Sequence, residues 1–262
     1  MGQKVYIWSF KDNDLVGISF LDLQIYIHQM ISIRNLTLVG DVFRSVCLLR
    51  YQEDCKALSL ASRDPRHMEV YAVEFMVDNN QLGFLASDAD GNIHMFSYQP
   101  EAKESFGGQR LVKRADINVG TRINSFVRLR CHVGDPPVER KLEAAYRHVV
   151  YFGTTDGSFG SLLPLPEKNY RRLLMLQSVL VSHLEHAAGL NPRSYRVVRQ
   201  AGYISSGSCL MNAQKNILDG DLLTEYLRLS ATERYEIAKR IGTTREQLLD
   251  DLLEISRSIT QY

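Results

Sequence analysis

The sequence predicts a mainly β protein that becomes α-helical towards its C-terminus: a partial β-propeller of about four blades followed by a helical domain. Short apolar runs of strand length recur from Val5 to Leu163, and no stretch of ten or more residues at helical period interrupts them. At Glu167 the apolar period changes to that of a helix. We therefore expect propeller blades over residues 1–165, as part of a larger propeller, and a C-terminal helical domain over residues 166–262.

Two hairpins with a common pattern favour a propeller over a double-sheet sandwich. Residues 82–93 and 149–159 each contain an apolar strand, a polar step, an Asp-Gly pair and a second strand. Asp-Gly supplies the positive φ angles that a tight hairpin turn requires. The flanking strands are apolar at nearly every position, which is typical of sheets covered on both faces, as stacked blades are. At roughly 40 residues per blade the region would hold about four. An ordinary sandwich stays open as the alternative.

The C-terminal third predicts helices that bury one face. The first helix begins at Glu167, and its apolar residues lie three or four apart, which lines one side of a helix. These residues are Leu173, Leu176, Leu180 and Leu184. Asn191-Pro192 then opens a short helical segment, because proline suits the first turn.

Cap signals mark the later helices. Asp221 is expected to cap one helix, Ser230 and Glu233 form a capping box for the next, and Gly242 suits the end of that helix. The run from Thr243 to Glu246 predicts a second capping box for the final helix. Short helices are marginal alone in water, so their apolar faces must pack on one another or on the sheets.

Composition excludes several classes of protein. The 262 residues include 31 basic and 30 acidic side chains, so a net charge of +1 gives no overall positive field to attract nucleic acid. The four cysteines are scattered and form no C-x-x-C pair, which argues against a zinc knuckle or a disulfide framework and predicts reduced, intracellular thiols. They are Cys47, Cys55, Cys131 and Cys209. The N-terminal residues contain no apolar run of the kind found in signal peptides or membrane spans, so we expect neither secretion nor membrane insertion.

The sequence predicts a protein with no catalytic residues, no cofactor and no metal. Asp90 and Asp156 each belong to an Asp-Gly turn, where the carboxylate has a local role. His183 and His186 lack a third ligand for a metal. Residues 157–160 lack the first glycine of a nucleophile elbow, and no phosphate-binding loop is present. An enzyme that uses the central channel of the propeller stays the weakest alternative.

One basic run with an aromatic residue is a candidate contact for RNA or a partner protein. Tyr170, Arg171 and Arg172 are consecutive near the start of the first helix, and three further arginines follow downstream. These are Arg193, Arg196 and Arg199. Arginine could contact phosphate there. The competing interpretation is a solvated helix face whose arginines pair with acidic neighbours.

Several runs resemble one known family. They are Tyr26–Ser32, Leu48–Glu53, Phe75–Asn79, Pro100–Gly108, Tyr170–Gln177, Ala188–Arg193 and Ile241–Thr244. Together they resemble the C-terminal region of the largest subunit of the cleavage and polyadenylation specificity factor, over nearly the whole chain. Val39–Val46 and Asp219–Leu222 are similar to a wider superfamily, which includes the large DNA-damage-binding subunit and a splicing-factor subunit. The segments 131–147 and 201–210 depart from the family pattern, which puts partner contacts there in doubt.

The resemblance implies three propellers and a C-terminal helical domain in the complete protein, with this chain holding part of the third propeller and the helices. It implies a nuclear, non-catalytic scaffold of messenger RNA 3′-end processing that holds a WD-repeat subunit and a zinc-finger subunit, through which the AAUAAA signal of pre-mRNA is mainly recognised. The alternative is an adaptor of the damage-binding class that recruits substrates to a ubiquitin ligase.

Overall fold

A computed structural model describes residues 2–79, 81–132, 146–199 and 216–260. Its first sheet contains five antiparallel strands in the spatial order of the chain. These strands are β1 Gly2–Lys11, β2 Asp14–Ile33, β3 Leu36–Asp41, β4 Ser45–Gln52 and β5 Ala57–Arg63. Each strand follows its neighbour through a short turn, as a β-meander does.

Two further antiparallel sheets follow, again in chain order. The second sheet contains β6 Val70–Asp78, β7 Gln81–Asp88, β8 Asn92–Ser97 and β9 Val112–Asn118. The third sheet contains β10 Ile123–His132, β11 Tyr146–Thr154 and β12 Phe159–Leu162. Gly91 and Gly157, the glycines of the two predicted Asp-Gly turns, have φ angles of 77° and 85°, so these hairpin turns are confirmed.

The sheets are stacked face to face, which confirms a partial propeller. Leu38 and Leu48 of the first sheet pack against Val73 and Phe75 of the second. Another apolar layer joins the second and third sheets. The blade spacing predicts about four blades, whereas the described strands form three sheets. The difference arises in the first sheet, where the apolar runs at residues 16–20 and 25–27, expected as separate strands, are continuous in the 20-residue β2. Strand β2 bends at Gln24, with a φ of 54°, and so joins the β1–β2 hairpin to β3, β4 and β5 in one sheet.

The hairpin of β1 and β2 forms an additional layer on the first sheet. Val5 and Ile7 of β1 pack against Val39 and Leu49 on the face of the first sheet that points away from the second sheet. The main-chain N–H of Leu58 donates to the Ser19 hydroxyl at 3.1 Å and fixes this layer. The hairpin therefore occupies the position that a neighbouring blade would take.

Helices follow the sheets, as the change of period predicts. They are α1 Glu167–His183, α2 Gly220–Thr224, α3 Ala231–Ile241 and α4 Arg245–Thr260, with a short 3₁₀ helix at Pro192–Arg196 capped by Asn191. Their apolar faces meet in one core around the fully buried Tyr226. Leu173, Leu176 and Leu180 of the predicted α1 stripe are all fully buried in it.

The helix caps confirm some predictions and correct others. Ser230 and Glu233 form the predicted capping box of α3, and Gly242 ends that helix with a φ of 80°. The cap of α2 is Asp219, whose carboxylate accepts from the N–H of Asp221, so the prediction of Asp221 as the cap was wrong by two residues. Asp221 lies instead in the first turn, where an acidic side chain favours the helix dipole.

The second predicted capping box is also shifted by one residue. Helix α4 begins at Arg245, and Thr244 accepts a hydrogen bond from the N–H of Gln247 at 3.3 Å, so the box that starts at Thr243 was wrong. The Thr243 hydroxyl bonds to the Gln247 side chain, and Glu246 pairs with Arg245. Two adjacent threonines can each serve as a cap, which is why the pattern alone misassigned the position.

Helix α4 connects the helices to the third sheet. Glu254 pairs with Arg147 of β11 at 2.5 Å, and the carbonyl of Ile259 accepts from the Tyr151 hydroxyl at 2.6 Å. Ile259 also packs on the small core formed by Cys131 and Tyr151. One face of α4 thus completes the helical core while its last turns lie on the sheet.

Strand β12 ends at Leu162 and α1 begins at Glu167. The division into domains over 1–165 and 166–262 remains a prediction. Segment 201–210, Cys209 and most of segment 131–147 lie outside the described residues. The described cysteines Cys47, Cys55 and Cys131 are free thiols.

Candidate partner-binding surfaces

Helix α1 places the three residues of the predicted contact, Tyr170, Arg171 and Arg172, in three different environments. Arg171 is 73% exposed in its side chain and pairs with Glu167, one turn earlier. Arg172 points towards α4, where its Nη1 lies 3.2 Å from the Oδ2 atom of Asp251 and the two side chains are 17% and 10% exposed. Tyr170 is half-buried. The structure therefore does not bring the three side chains together on one surface.

The downstream arginines mostly hold the fold together. The guanidinium of Arg196 donates to Asp219 at 2.8 and 3.2 Å and to Asp221 at 2.7 Å. Burial alone would lower the pKa of Arg196, but the hydrogen bonds and charges of these two carboxylates raise it overall. Arg193 donates to the Ser178 hydroxyl at 3.3 Å. The charge of Arg196 is therefore compensated by two carboxylates, whereas Arg193 bonds a neutral hydroxyl.

Arg199 is held through its main chain by a polar cluster at the end of the second sheet. The side-chain amide of Asn92 donates to the Arg199 carbonyl at 2.7 Å, and its oxygen accepts from the Arg199 N–H at 3.0 Å. Asn92 also bonds to Asp88 and to Asn118, at 2.6 and 2.8 Å. Asn92 thus pairs with residue 199 as a strand neighbour would, and it fastens the segment after the 3₁₀ helix to the sheet.

Two carboxylates in the hairpin turns have local roles. Asp88 accepts from the N–H of Asp90 and from His94 Nε2, at 3.0 and 2.9 Å. Its burial would raise its pKa, but the hydrogen bonds from His94 and Asn92 outweigh that effect and lower it. Asp156 is fully exposed, and the hydroxyl of Thr154 with the N–H of Ser158 lowers its pKa to about 2. In the first hairpin Asp88 also bonds the turn through its carboxylate, a role that sequence reasoning missed.

A row of aromatic and cationic side chains crosses the three sheets at the same end as these turns. The rings of His28 and Tyr71 lie 5.8 Å apart, and Arg122 lies over the Tyr71 ring at 4.3 Å. Tyr26 and Phe43 meet edge to face at 6.0 Å, and both are exposed. Such groups bind planar or cationic partner groups by stacking rather than by chemical reaction.

An exposed apolar surface lies on the outer face of the β1–β2 hairpin. Five large side chains there are between 52% and 69% exposed, and we call them the hairpin aromatic face. They are Tyr6, Trp8, Phe10, Leu15 and Phe20. The cross-strand rings of Tyr6 and Phe20 stack at 5.9 Å. A contiguous apolar surface of this kind marks an interface, because isolated soluble proteins seldom expose one.

In the part of the chain that the structure describes, neither a cluster of metal ligands nor a membrane-spanning helix is found. No three or more His, Cys, Asp or Glu side chains are grouped there in a way that could hold a metal ion. His183 pairs with Glu233 at 3.7 Å, and His186 bonds to the Val181 carbonyl at 2.8 Å, so the two predicted surface histidines have separate partners. Within the same residues, no helix has the length and apolar character needed to span a bilayer.

Comparison with known proteins identifies the family of the chain. A family model described as the CPSF A subunit region matches residues 1–228. The chain belongs to this family. A CPSF A relative from Drosophila melanogaster, named cleavage and polyadenylation specificity factor subunit 1, is 48% identical over 257 residues, which is 98% of this chain and 17% of the relative.

Two more CPSF A relatives extend the similarity to distant organisms. A Caenorhabditis elegans protein, named probable cleavage and polyadenylation specificity factor subunit 1, is 45% identical over all of this chain and 18% of its own length. Protein cft1 of Schizosaccharomyces pombe is 32% identical over 99% of this chain and 18% of its own length. The chain therefore spans less than a fifth of these relatives. Their names confirm the resemblance and do not favour the ubiquitin-ligase alternative.

Sequence reasoning missed the hairpin aromatic face and the Asn92 cluster, although both left signals. Tyr6, Trp8 and Phe10 alternate along one strand, so they must share a face. Ile7 makes Val5–Trp8 a continuous apolar run, which hid this alternation. The polar residues of the cluster fall within a short stretch of an otherwise apolar hairpin, where buried polar groups require partners.

Proposed function

We propose that this chain is a non-catalytic scaffold segment of a nuclear messenger RNA 3′-end processing factor. The observation that carries the proposal is the hairpin aromatic face, on a chain that spans 17–18% of relatives named as polyadenylation factor subunits. Stacked sheets that expose an apolar layer offer surfaces for further sheets or proteins. The proposed chemistry is assembly, and pre-mRNA with its AAUAAA signal is contacted mainly through the WD-repeat and zinc-finger subunits.

We propose further that residues 1–165 complete a propeller with other parts of the full-length protein. The second and third sheets are each covered by a neighbouring layer, whereas the outer face of the first hairpin is open. Among the described strands β1 pairs with β2 alone, so its other edge can pair with a further strand, which would satisfy the N–H and C=O groups along that edge.

Co-purification tests the scaffold function. The full-length protein, tagged and isolated from nuclear extract, should recover the WD-repeat and zinc-finger subunits in stoichiometric amounts. A full-length protein that lacks the region of this chain is the matched comparison, and it should recover less of at least one subunit. Recovery of a cullin in place of these subunits would support the adaptor alternative and contradict the proposal.

The predicted RNA or partner contact at Tyr170, Arg171 and Arg172 is part of the proposal and rests mainly on Arg171, the most exposed of the three. A single Arg171→Glu change reverses an exposed charge without breaking the α1–α4 pair. Reduced binding of an AAUAAA-containing RNA to the assembled complex would support the contact, and unchanged affinity would end this part of the proposal.

A further inference from the structure

The turn between β8 and β9 presents an exposed aromatic side chain in a strained backbone conformation. Phe106 is 61% exposed and has φ and ψ angles of 50° and 53°, in the left-handed region that bulky residues rarely adopt. Gly107 and Gly108 follow with φ angles of 69° and 90°. Strain of this kind is kept where the surrounding structure enforces it, and it is concentrated at functional positions.

A buried serine enforces the turn from within. The hydroxyl of Ser105, which is fully buried, donates to the Ala102 carbonyl at 2.7 Å and accepts from the N–H of Gly108 at 3.1 Å. The carbonyl of Ser105 accepts from the N–H of Arg110 at 2.9 Å. A Cβ atom at Gly108 would lie 3.0 Å from the Tyr98 hydroxyl, so the turn is closely packed on that side. Phe106 is therefore held out from the surface by a rigid base.

The base of the turn is also fastened to the first sheet. The N–H of Arg63 at the end of β5 donates to the Gln109 carbonyl at 3.1 Å, and the N–H of Leu111 donates to the Arg63 carbonyl at 3.0 Å. Arg63 and Arg110 form an isolated parallel bridge. The Phe106 turn thus spans the junction between the first two sheets, which gives the exposed ring a fixed position relative to both.

The chemistry around the ring is that of a protein-binding hot spot. Arg110 lies over the Phe106 ring at 4.3 Å, and Tyr98, whose hydroxyl approaches Gly108 of the same turn, is 43% exposed. Aromatic residues and arginine carry much of the energy at protein interfaces, and a rigid anchor loses little entropy on binding. Among the described residues, the exposed guanidiniums of Arg63 and Arg110 have no ion-pair partner.

We propose that Phe106 is an anchor that inserts into an apolar pocket of another protein subunit, with carboxylates at the pocket edge that pair with Arg110 and Arg63. Exposed Glu101 and Glu104 alternate with Lys103 on the same turn, so the surface carries both signs of charge rather than a continuous positive stripe, which favours a protein over a phosphodiester backbone. This inference rests on the proposed function, because it assumes that the chain acts within a multi-subunit assembly.

A photo-crosslinking amino acid at position 106 of the full-length protein, within the complex reconstituted with the WD-repeat and zinc-finger subunits and RNA, identifies the occupant. We expect a crosslink to one protein subunit, in a segment that contains carboxylates. The matched control carries the same amino acid in place of Tyr235, an equally exposed residue on α3, and should not crosslink to that segment. A crosslink to RNA, or none to protein, would overturn the inference.

Phe106→Gly separates binding from folding, because glycine adopts the left-handed conformation without strain. Its thermal midpoint should equal or exceed that of the wild type, while its affinity for the crosslinked subunit should fall at least tenfold. Arg110→Glu should weaken the same binding, whereas Tyr235→Ala should not. If the wild-type complex assembles and Phe106→Gly binds within twofold of it, the inference fails and the proposed function stands. If the wild type recovers no subunit, both fail.

Discussion

Replacing Arg172 by methionine is expected to destabilise the protein far more than the same change at Arg171. At the 3.2 Å separation of Arg172 and Asp251, an effective dielectric constant of about 20 gives roughly 5 kcal/mol of attraction. Partial exposure of the pair and the conformational entropy lost when the long arginine side chain is fixed reduce the net attraction. We therefore expect Arg172→Met to lower the free energy of unfolding by about 2–3 kcal/mol. The exposed pair of Arg171 with Glu167 should contribute only about 0.3–0.5 kcal/mol.

The pair geometry explains why removal of one partner is costly. Asp251 Oδ2 is buried and lacks a partner with hydrogen-bond geometry among the described residues, so the charge of Arg172 is its main compensation. Burial raises the pKa of Asp251, Arg172 and Lys168 lower it, and Glu254 and Asp250 raise it further. Without Arg172 this pKa should rise again, because only the opposing charge has been removed.

The sign of the pH effect follows from that shift. A carboxyl whose folded pKa lies above its unfolded value of 3.8 binds more protons in the folded state between the two values, so stability falls as pH rises through this window. The loss of unfolding free energy in Arg172→Met, relative to the wild type, should therefore become smaller as pH is lowered from 7 towards 4.

Urea unfolding at pH 7 and at lower pH measures the free energy of unfolding of the wild type and of three variants. They are Arg171→Met, Arg172→Met and the double variant Arg172→Met with Asp251→Leu. The double variant should recover most of the loss, because no unpaired buried charge remains. A deficit for Arg172→Met no larger than that for Arg171→Met, or one that widens on acidification, would refute the reasoning.

Three other predictions test the remaining features. Asn92→Ala should lower the free energy of unfolding in urea by about 2–4 kcal/mol, because it leaves the main-chain N–H and C=O of Arg199 without partners. A loss under about 1 kcal/mol would contradict a stabilising role for these two hydrogen bonds. The isolated chain should self-associate through the hairpin aromatic face, and the double variant Trp8→Ser with Phe10→Ser should shift it towards monomer. Size-exclusion chromatography with light scattering measures this, and a monodisperse wild-type monomer would argue against an uncovered interface. Asp156 should titrate at about 2 by NMR, below its ordinary 3.8, and a midpoint near 4 would exclude the hydrogen bonds of its turn.

The regular elements could be predicted because each depends on local chemistry. The leucine stripe from Leu173 to Leu180 and the capping box at Ser230 require only neighbours within one or two turns. The Asp-Gly hairpins likewise depend on the backbone freedom of single glycines. The joining of two expected strands into β2 could not be predicted in this way, because pairing with β1 and β3 keeps the chain extended on both sides of Gln24.

The candidate contact at residues 170–172 was harder to predict for a physical reason. Successive residues on a helix point about 100° apart, so three neighbours cannot share one surface. Which of them is buried depends on α4, and Asp251 lies far along the chain from Arg172. Phe106 illustrates the opposite case: its run was distinctive in the sequence, but its exposure depends on a backbone conformation that residue types alone do not specify.

Helix α4 makes the two parts of the chain a shared cooperative unit. It is about 24 Å long at 1.5 Å per residue, and Leu248 and Leu252 complete the helical core, while Ile259 and Glu254 bind the third sheet. Detachment of this one helix would expose apolar surface on both sides at once, so its amides should be among the slowest to exchange with solvent. Truncation within its last turns would then loosen the third sheet as well as the helices.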